Sequence, residues 1–274
     1  ECAAHIELAV SVFSWLGLRC NPKKTEGPSS ALEYIGYLLD CDKRTVTIGD
    51  ARREELLALA NKILGADTFG TKDLETAIGK FGFAAGVLRG GRAYLYRMYK
   101  ELQAALARGD RSLRLGDGAK ADARWWATEL AHQPSGSRIF LEDEPLPVVT
   151  LKGDASGDIG WGYVYDGTLH WSRWTPEVVH KDHMQYKELV ALCHCLEEHG
   201  PKFRNKVVRF GCDNSSVCYA VNRQSSSCPR VMQLLRRVAD AQCRYNCDAV
   251  AVWVSRRYND LADLCTRFQA LAEF

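Results

Sequence analysis

The stretch VVTLKGDASGDIGWGYVYDGTLHWSRW, residues 148–174, decides the fold. It reads as three short strands, at 148–152, 161–165 and 169–174, rich in β-branched and aromatic residues. Asp166-Gly167, between the second and third, is a strong hairpin signal, because a two-residue turn needs positive φ at both positions. Downstream the grammar alternates. Helical periodicity runs from 185 to 196, an apolar strand from 207 to 212, and helices over 215–222 and 229–244. A last strand spans 249–254, and a final helix is expected to start near Asn259. Hairpin-linked strands followed by alternating helices and strands make an α/β fold, a mixed sheet with helices on its faces.

Upstream of this unit the composition changes. Residues 132–147 are rich in proline, serine, glycine and acids, and read as a linker. Residues 51–106 carry helical periodicity, with Leu56, Leu59, Ala60, Ile63 and Leu64 on one face, and 108–118 are polar and glycine-rich. A second helix is expected from Thr71, a third over 91–107 and a short one over 121–130. Residues 1–50 begin with an amphipathic helix over 3–18, followed by two β-prone runs, 32–39 and 45–48, joined by a turn at 40–43. The organisation is therefore 1–50, 51–131, a linker at 132–147, and 148–274.

The chain has 274 residues, of which 46% are hydrophobic and 26% charged, which excludes a disordered or fibrous protein. A net charge of +2 does not by itself mark a polyanion-binding protein, so any such surface has to come from local clustering. No apolar run reaches the roughly 18–20 residues of a membrane helix; the longest, Leu8 to Leu18, is broken by serines and a glycine. Eleven cysteines are scattered without paired CxxC knuckles, so support for zinc is weak, even at Cys193-His194-Cys195 or at Cys243 and Cys247. They read as small buried apolar residues of a reducing compartment, cytoplasm or nucleus. The chain begins at Glu1 with no methionine and no leader, and reads as a fragment in which no targeting signal is visible.

Four carboxylates stand where chemistry is expected. Asp154 ends the first strand, Glu188 sits early in a helix, Asp213 ends the 207–212 strand, and Asp263 lies in the last helix. Ligand sites of such sheets gather at the ends of adjacent strands. Clustered carboxylates raise each other's pKa, and a hard divalent cation resolves that conflict. Two such ions about 4 Å apart suit phosphodiester cleavage.

Together GDAS (153–156), GWG (160–162), YKELVAL (186–192), CDNSSV (212–217) and NDLADLCTR (259–267) resemble a ribonuclease H domain of the kind found in retroelement reverse transcriptases. The resemblance covers essentially all of 148–274. It implies that Asp154, Glu188, Asp213 and Asp263 hold two Mg²⁺ ions, with Mn²⁺ able to substitute, and hydrolyse RNA paired to DNA. Asp260 competes with Asp263 for the fourth place; Asn259-x-x-Ala262-Asp263 fits the common N-x-x-A-D spacing. The usual Leu-Ser-Arg ending reads Cys265-Thr266-Arg267, and Arg256 and Arg257, candidates for nucleic-acid contact, stand in the loop where some members carry a histidine.

LGLRCNPKKTE (16–26) and LEYIGYLLD (32–40) resemble the end of a reverse transcriptase palm and its primer-gripping hairpin, and 74–102 resembles the thumb. The flavour is that of DIRS-like or long-terminal-repeat elements. No YxDD-like motif occurs, so the polymerase aspartates are expected upstream of Glu1. The thumb-like part carries eight bases between Lys80 and Arg114 against two acids, with tyrosines interleaved. Lys80, Arg89, Arg92, Arg97 and Lys100 are therefore candidates for tracking a phosphate backbone. Ser156 and Asn214 are placed either to contact RNA or to stabilise their turns. The expected partners are an RNA–DNA hybrid or RNA, and an upstream polymerase half or a larger nucleoprotein assembly. The competing expectation is a recruited, catalytically idle fragment serving as a nucleic-acid-binding subunit; a related integrase nuclease fits the upstream context less well.

Overall fold

The computed structural model describes residues 2–132, 138–139 and 147–259. Helix α1 (Cys2–Trp15) buries none of its residues. Strands β1 (Ala31–Tyr34), β2 (Tyr37–Asp40) and β3 (Thr45–Ile48) form an antiparallel meander. The run over 32–39 is thus two strands and not one. Ile35 and Gly36 both take positive φ, 47° and 85°, which folds the run back on itself.

The helical part comprises α2 (Asp50–Gly65), the short strand β4 (Phe69–Gly70), α3 (Thr71–Ala84), α4 (Tyr96–Arg108), β5 (Ser112–Leu113) and α5 (Asp117–Ala131). Phe81 and Trp126 stack at its centre, both fully buried, and the Trp126 indole donates to the Tyr94 carbonyl at 3.1 Å. The expected helix over 91–107 is broken. A 3₁₀ turn occupies Gly91–Tyr94, because Gly90 at φ 78° reverses the chain before α4 begins. β6 (Arg138–Ile139) pairs with β3, so part of the expected linker is strand.

The last part holds a five-stranded mixed sheet flanked by helices, the α/β class expected from the sequence. β7 (Val148–Ala155), β8 (Gly160–Tyr165) and β9 (Thr168–Arg173) are antiparallel, then come α6 (Pro176–Lys181), α7 (Met184–His199), β10 (Val207–Cys212), α8 (Ser215–Arg223), α9 (Pro229–Tyr245) and β11 (Asp248–Trp253). The strand order is β11-β10-β7-β8-β9, with β10 parallel to both β7 and β11. Asp166 and Gly167 carry the positive φ values expected of the β8–β9 turn. α7 lies across β7 at close range. A Cβ on Gly153 would meet the Phe210 ring at 2.5 Å and the Ala191 Cβ at 3.1 Å, so only glycine lets the helix seat. The helix expected from Asn259 lies outside the described residues.

The helical part and the sheet part share one apolar cluster. Gly90 approaches α9 so closely that a Cβ there would stand 2.6 Å from that of Ala239. Around this contact the Arg89 guanidinium donates to Asp248 (3.0 Å) and to Asn246, and the Tyr94 hydroxyl donates to Asp240 at 2.6 Å. Asp122, fully buried, accepts from Arg236 at 3.3 Å and from Arg97 at 3.4 Å. Among the described residues no helix is long and apolar enough to cross a membrane.

Candidate active site

Asp154 and Asp213 reach the same end of the sheet because β7 and β10 are parallel. Lys152 pairs with Gly211, and each aspartate lies two residues further on. Neighbouring strands are about 4.8 Å apart, so the two aspartates stand side by side. Glu188 comes in from the second turn of α7. Its carboxylate, the Cys212 thiol and the Asp213 carboxylate bring their ligand atoms within 4.8 Å of one another. Asp154, buried on the neighbouring strand, stands outside that tight set but close enough for its charge to act on Glu188.

Both Glu188 oxygens are held. The Cys212 thiol donates to Oε2 at 3.1 Å and the Asn214 amide to Oε1 at 3.1 Å. Burial raises the Glu188 pKa to about 7; the two hydrogen bonds oppose that rise, and the charges of Asp213 and Asp154 add to it. The Cys212 thiol is itself pushed far up, chiefly by burial, so it keeps its proton and acts as a donor. Among the described residues a nearby cation is Arg256, whose Nε is 3.6 Å from Asp213 Oδ2 on a largely exposed side chain. Clustered carboxylate oxygens, one of them on a group with a near-neutral pKa, fit a hard divalent cation.

Glu188 carries a pH dependence with a definite sign. Its folded pKa is above its ordinary 4.5, so its contribution to stability is complete below about pH 4.5 and is lost as pH rises through about 7. In metal-free buffer this amounts to about 3 kcal/mol. Wild-type protein should therefore lose Tm between pH 5 and 8 relative to Glu188→Gln, and added Mg²⁺ should restore it. Identical Tm–pH profiles for the two proteins would contradict this placement of Glu188.

The other candidates divide. Asn214 accepts from Ser216 N at 3.0 Å, capping α8 while its amide holds Glu188, so it serves the site through position. The Ser156 hydroxyl accepts from Ile159 N and Gly160 N at 2.8 and 2.9 Å, the turn-stabilising alternative. Arg257 is exposed. Asp260 and Asp263 lie outside the described residues. Asn259 is buried, and its amide donates to the Gly153 carbonyl at 3.1 Å, one residue from Asp154.

In the helical part, Arg92 and Lys100 are exposed, and Lys80 is partly exposed and paired to Glu55 at 2.5 Å. Arg89 departs from expectation. It is buried against β11 and α9, because the Gly90 contact turns it into the protein, where it meets Asp248 and Asn246. Arg97 is likewise committed to Asp122, with about a third of its side chain exposed. The sequence contains these ion partners 25 and 159 residues away, a separation that no local pattern reports.

No protein-family model matches the sequence, and no curated protein does. Solved structures do share likeness. A foamy viral protease-reverse transcriptase in complex with RNA/DNA hybrid aligns at 14% identity and TM-score 0.44, over 92% of this chain and 33% of that one. Its counterpart in complex with double-stranded DNA aligns at 12% and 0.42, over 93% and 43%. Ribonuclease H1 from the halophilic archaeon Halobacterium salinarum NRC-1 aligns at 16% and 0.36, over 47% of this chain and all of that one. The chain thus spans less than half the length of the viral chains.

Proposed function

We propose that the chain is a metal-dependent endonuclease that hydrolyses the RNA strand of RNA–DNA hybrids, as the C-terminal portion of a retroelement reverse transcriptase of the DIRS-like or long-terminal-repeat type. The observation that carries this reading is the meeting of Glu188 with Asp213, beside Asp154, at the C-terminal ends of two parallel strands. Asp154, Glu188 and Asp213 would hold Mg²⁺, with Asp263, or Asp260, as the fourth carboxylate; the anchoring of Asn259 next to Asp154 supports that direction of approach. When bound, the metal ions would activate the attacking water and stabilise the leaving oxygen. The chain's own groups set the frame. Cys212 and Asn214 fix the Glu188 carboxylate, and Arg256 stands 3.6 Å from Asp213 as a partial countercharge.

The test is cleavage of end-labelled RNA in a hybrid duplex with Mg²⁺ or Mn²⁺, against double-stranded DNA of the same sequence. Cleavage of the RNA alone is expected, since the 2′-hydroxyl and groove shape distinguish the substrates. Binding without cleavage under either metal would overturn the enzyme reading in favour of a nucleic-acid-binding subunit.

Hybrid binding is assigned to the exposed bases. Arg92 and Lys100 border a groove with Tyr96, Tyr99 and Arg223, between α4 and the loop that leads into α9. Neutralising Arg92 and Lys100 together should lower the salt slope of hybrid binding by roughly one to two, about 0.9 for each phosphate that is no longer neutralised. An unchanged slope in a filter-binding titration would remove this groove from the interface.

A further inference from the structure

A second group of ligand-bearing side chains sits at the opposite end of α7. His170 comes from β9, and Glu198 and His199 from the last turn of α7; one ligand atom of each lies within 4.8 Å of the others. Glu198 Oε1 is 3.5 Å from His170 Nδ1 and 3.9 Å from His199 Nε2. Around zinc, with bonds of about 2.0–2.1 Å, tetrahedral ligand atoms stand roughly 3.4 Å apart, close to the two Glu198 distances, and side-chain rotation would have to bring the imidazoles to the same spacing.

The surroundings hold these atoms in place. The buried Tyr163 hydroxyl donates to Glu198 Oε2 at 2.6 Å, which leaves Oε1 directed at the two imidazoles. The same Tyr163 ring stacks on His170 with centroids 4.7 Å apart, and His199 packs against Tyr165 at 4.8 Å. Outer hydrogen bonds and ring contacts of this kind orient metal ligands. About half of the Glu198 side chain is exposed, so an ion can enter and a water can complete the coordination.

We propose that His170, Glu198 and His199 form a transition-metal site, for Zn²⁺ in the first instance, distinct from the carboxylate cluster. Two imidazoles and one carboxylate favour such an ion over Mg²⁺. Glu188 and Glu198 are ten residues apart on one helix, which separates the two sites by about 15 Å along its axis. The cysteine-rich stretch beside it does not compete. Cys193 donates to the Leu234 carbonyl at 3.4 Å, and the His194 ring stacks on Trp161 at 4.3 Å. A bound ion would pin the end of α7 to the β8–β9 hairpin.

The full chain, stripped of metal, is titrated with Zn²⁺ in excess Mg²⁺ against a chromophoric chelator. One zinc per chain is expected, unchanged in Asp213→Asn, weakened at least tenfold in His170→Gln and Glu198→Gln, and weakened about 10- to 100-fold in Tyr163→Phe. Co²⁺ in place of zinc should give the visible absorption of a four-coordinate nitrogen–oxygen site. Absent zinc binding in the wild type, full affinity in His170→Gln, loss in Asp213→Asn, or thiolate bands in the cobalt spectrum would each overturn the proposal. Should His170→Gln fail to fold by circular dichroism, the wild-type cobalt spectrum decides between the same two outcomes.

Discussion

Asp213→Asn should abolish cleavage of the RNA strand while leaving hybrid binding intact or tighter. The change removes a charge from the carboxylate cluster with almost no change of shape. Loss of metal-based charge stabilisation is worth several kcal/mol of transition-state energy, a fall of at least about 10³-fold in rate. Binding is spared for two reasons. The phosphate backbone meets one negative charge fewer, and Arg256, 3.6 Å from that carboxylate, is released to face the nucleic acid. Single-turnover cleavage and equilibrium binding on the same preparation separate the two effects. Activity persisting in Asp213→Asn would move the site elsewhere, and a parallel loss of binding would mean that Asp213 holds the fold.

Arg89→Ala should cost about 3 kcal/mol of stability without altering the salt dependence of hybrid binding. The guanidinium is 2% exposed, and its removal strands Asp248 and Asn246 at the junction of the helical and sheet parts. Asp248 keeps 23% of its side chain exposed, so the penalty is set at the low end of the range for breaking a buried pair. Urea denaturation reads the first half of the prediction, and a binding titration across salt reads the second. An unchanged denaturation midpoint together with a reduced salt slope would return Arg89 to the nucleic-acid surface and remove it from the junction.

Much of the sheet part is legible in the sequence because its signals are local. Asp166-Gly167 announces the β8–β9 turn, and the apolar run at 207–212 is β10 with the same bounds. The strand-end positions of Asp154 and Asp213 are readable for the same reason, since both sit where an apolar run stops. The roles of Cys212 and Asn214 are not. Both lie in the quoted CDNSSV segment, but their bonds to Glu188 span 24 and 26 residues and depend on how α7 seats over Gly153. The run at 32–39 passes for a single strand because Ile35 is a β-former, forced to positive φ by the turn it shares with Gly36. Charge counting marks the segment 80–114 as basic. It has no means of separating Arg92 from Arg89, whose partners Asn246 and Asp248 belong to a different part of the chain.

The meeting of Gly90 with Ala239 bears on how such a chain can be recombined. With φ at 78° and no room for a Cβ, position 90 tolerates only glycine, and position 239 tolerates nothing larger than alanine while α9 keeps its seat. The two positions lie on opposite sides of the stretch read as a linker, so they form a matched pair across the chain. A chimaera that joins this helical part to a sheet part from another lineage inherits one member of the pair without the other. Unless the incoming helix also presents a small residue at that point, the two parts cannot approach as closely as they do here, and the seat of Arg89 beside Asn246 and Asp248 is disturbed. Exchange of modules is therefore restricted to partners that already agree at this one contact.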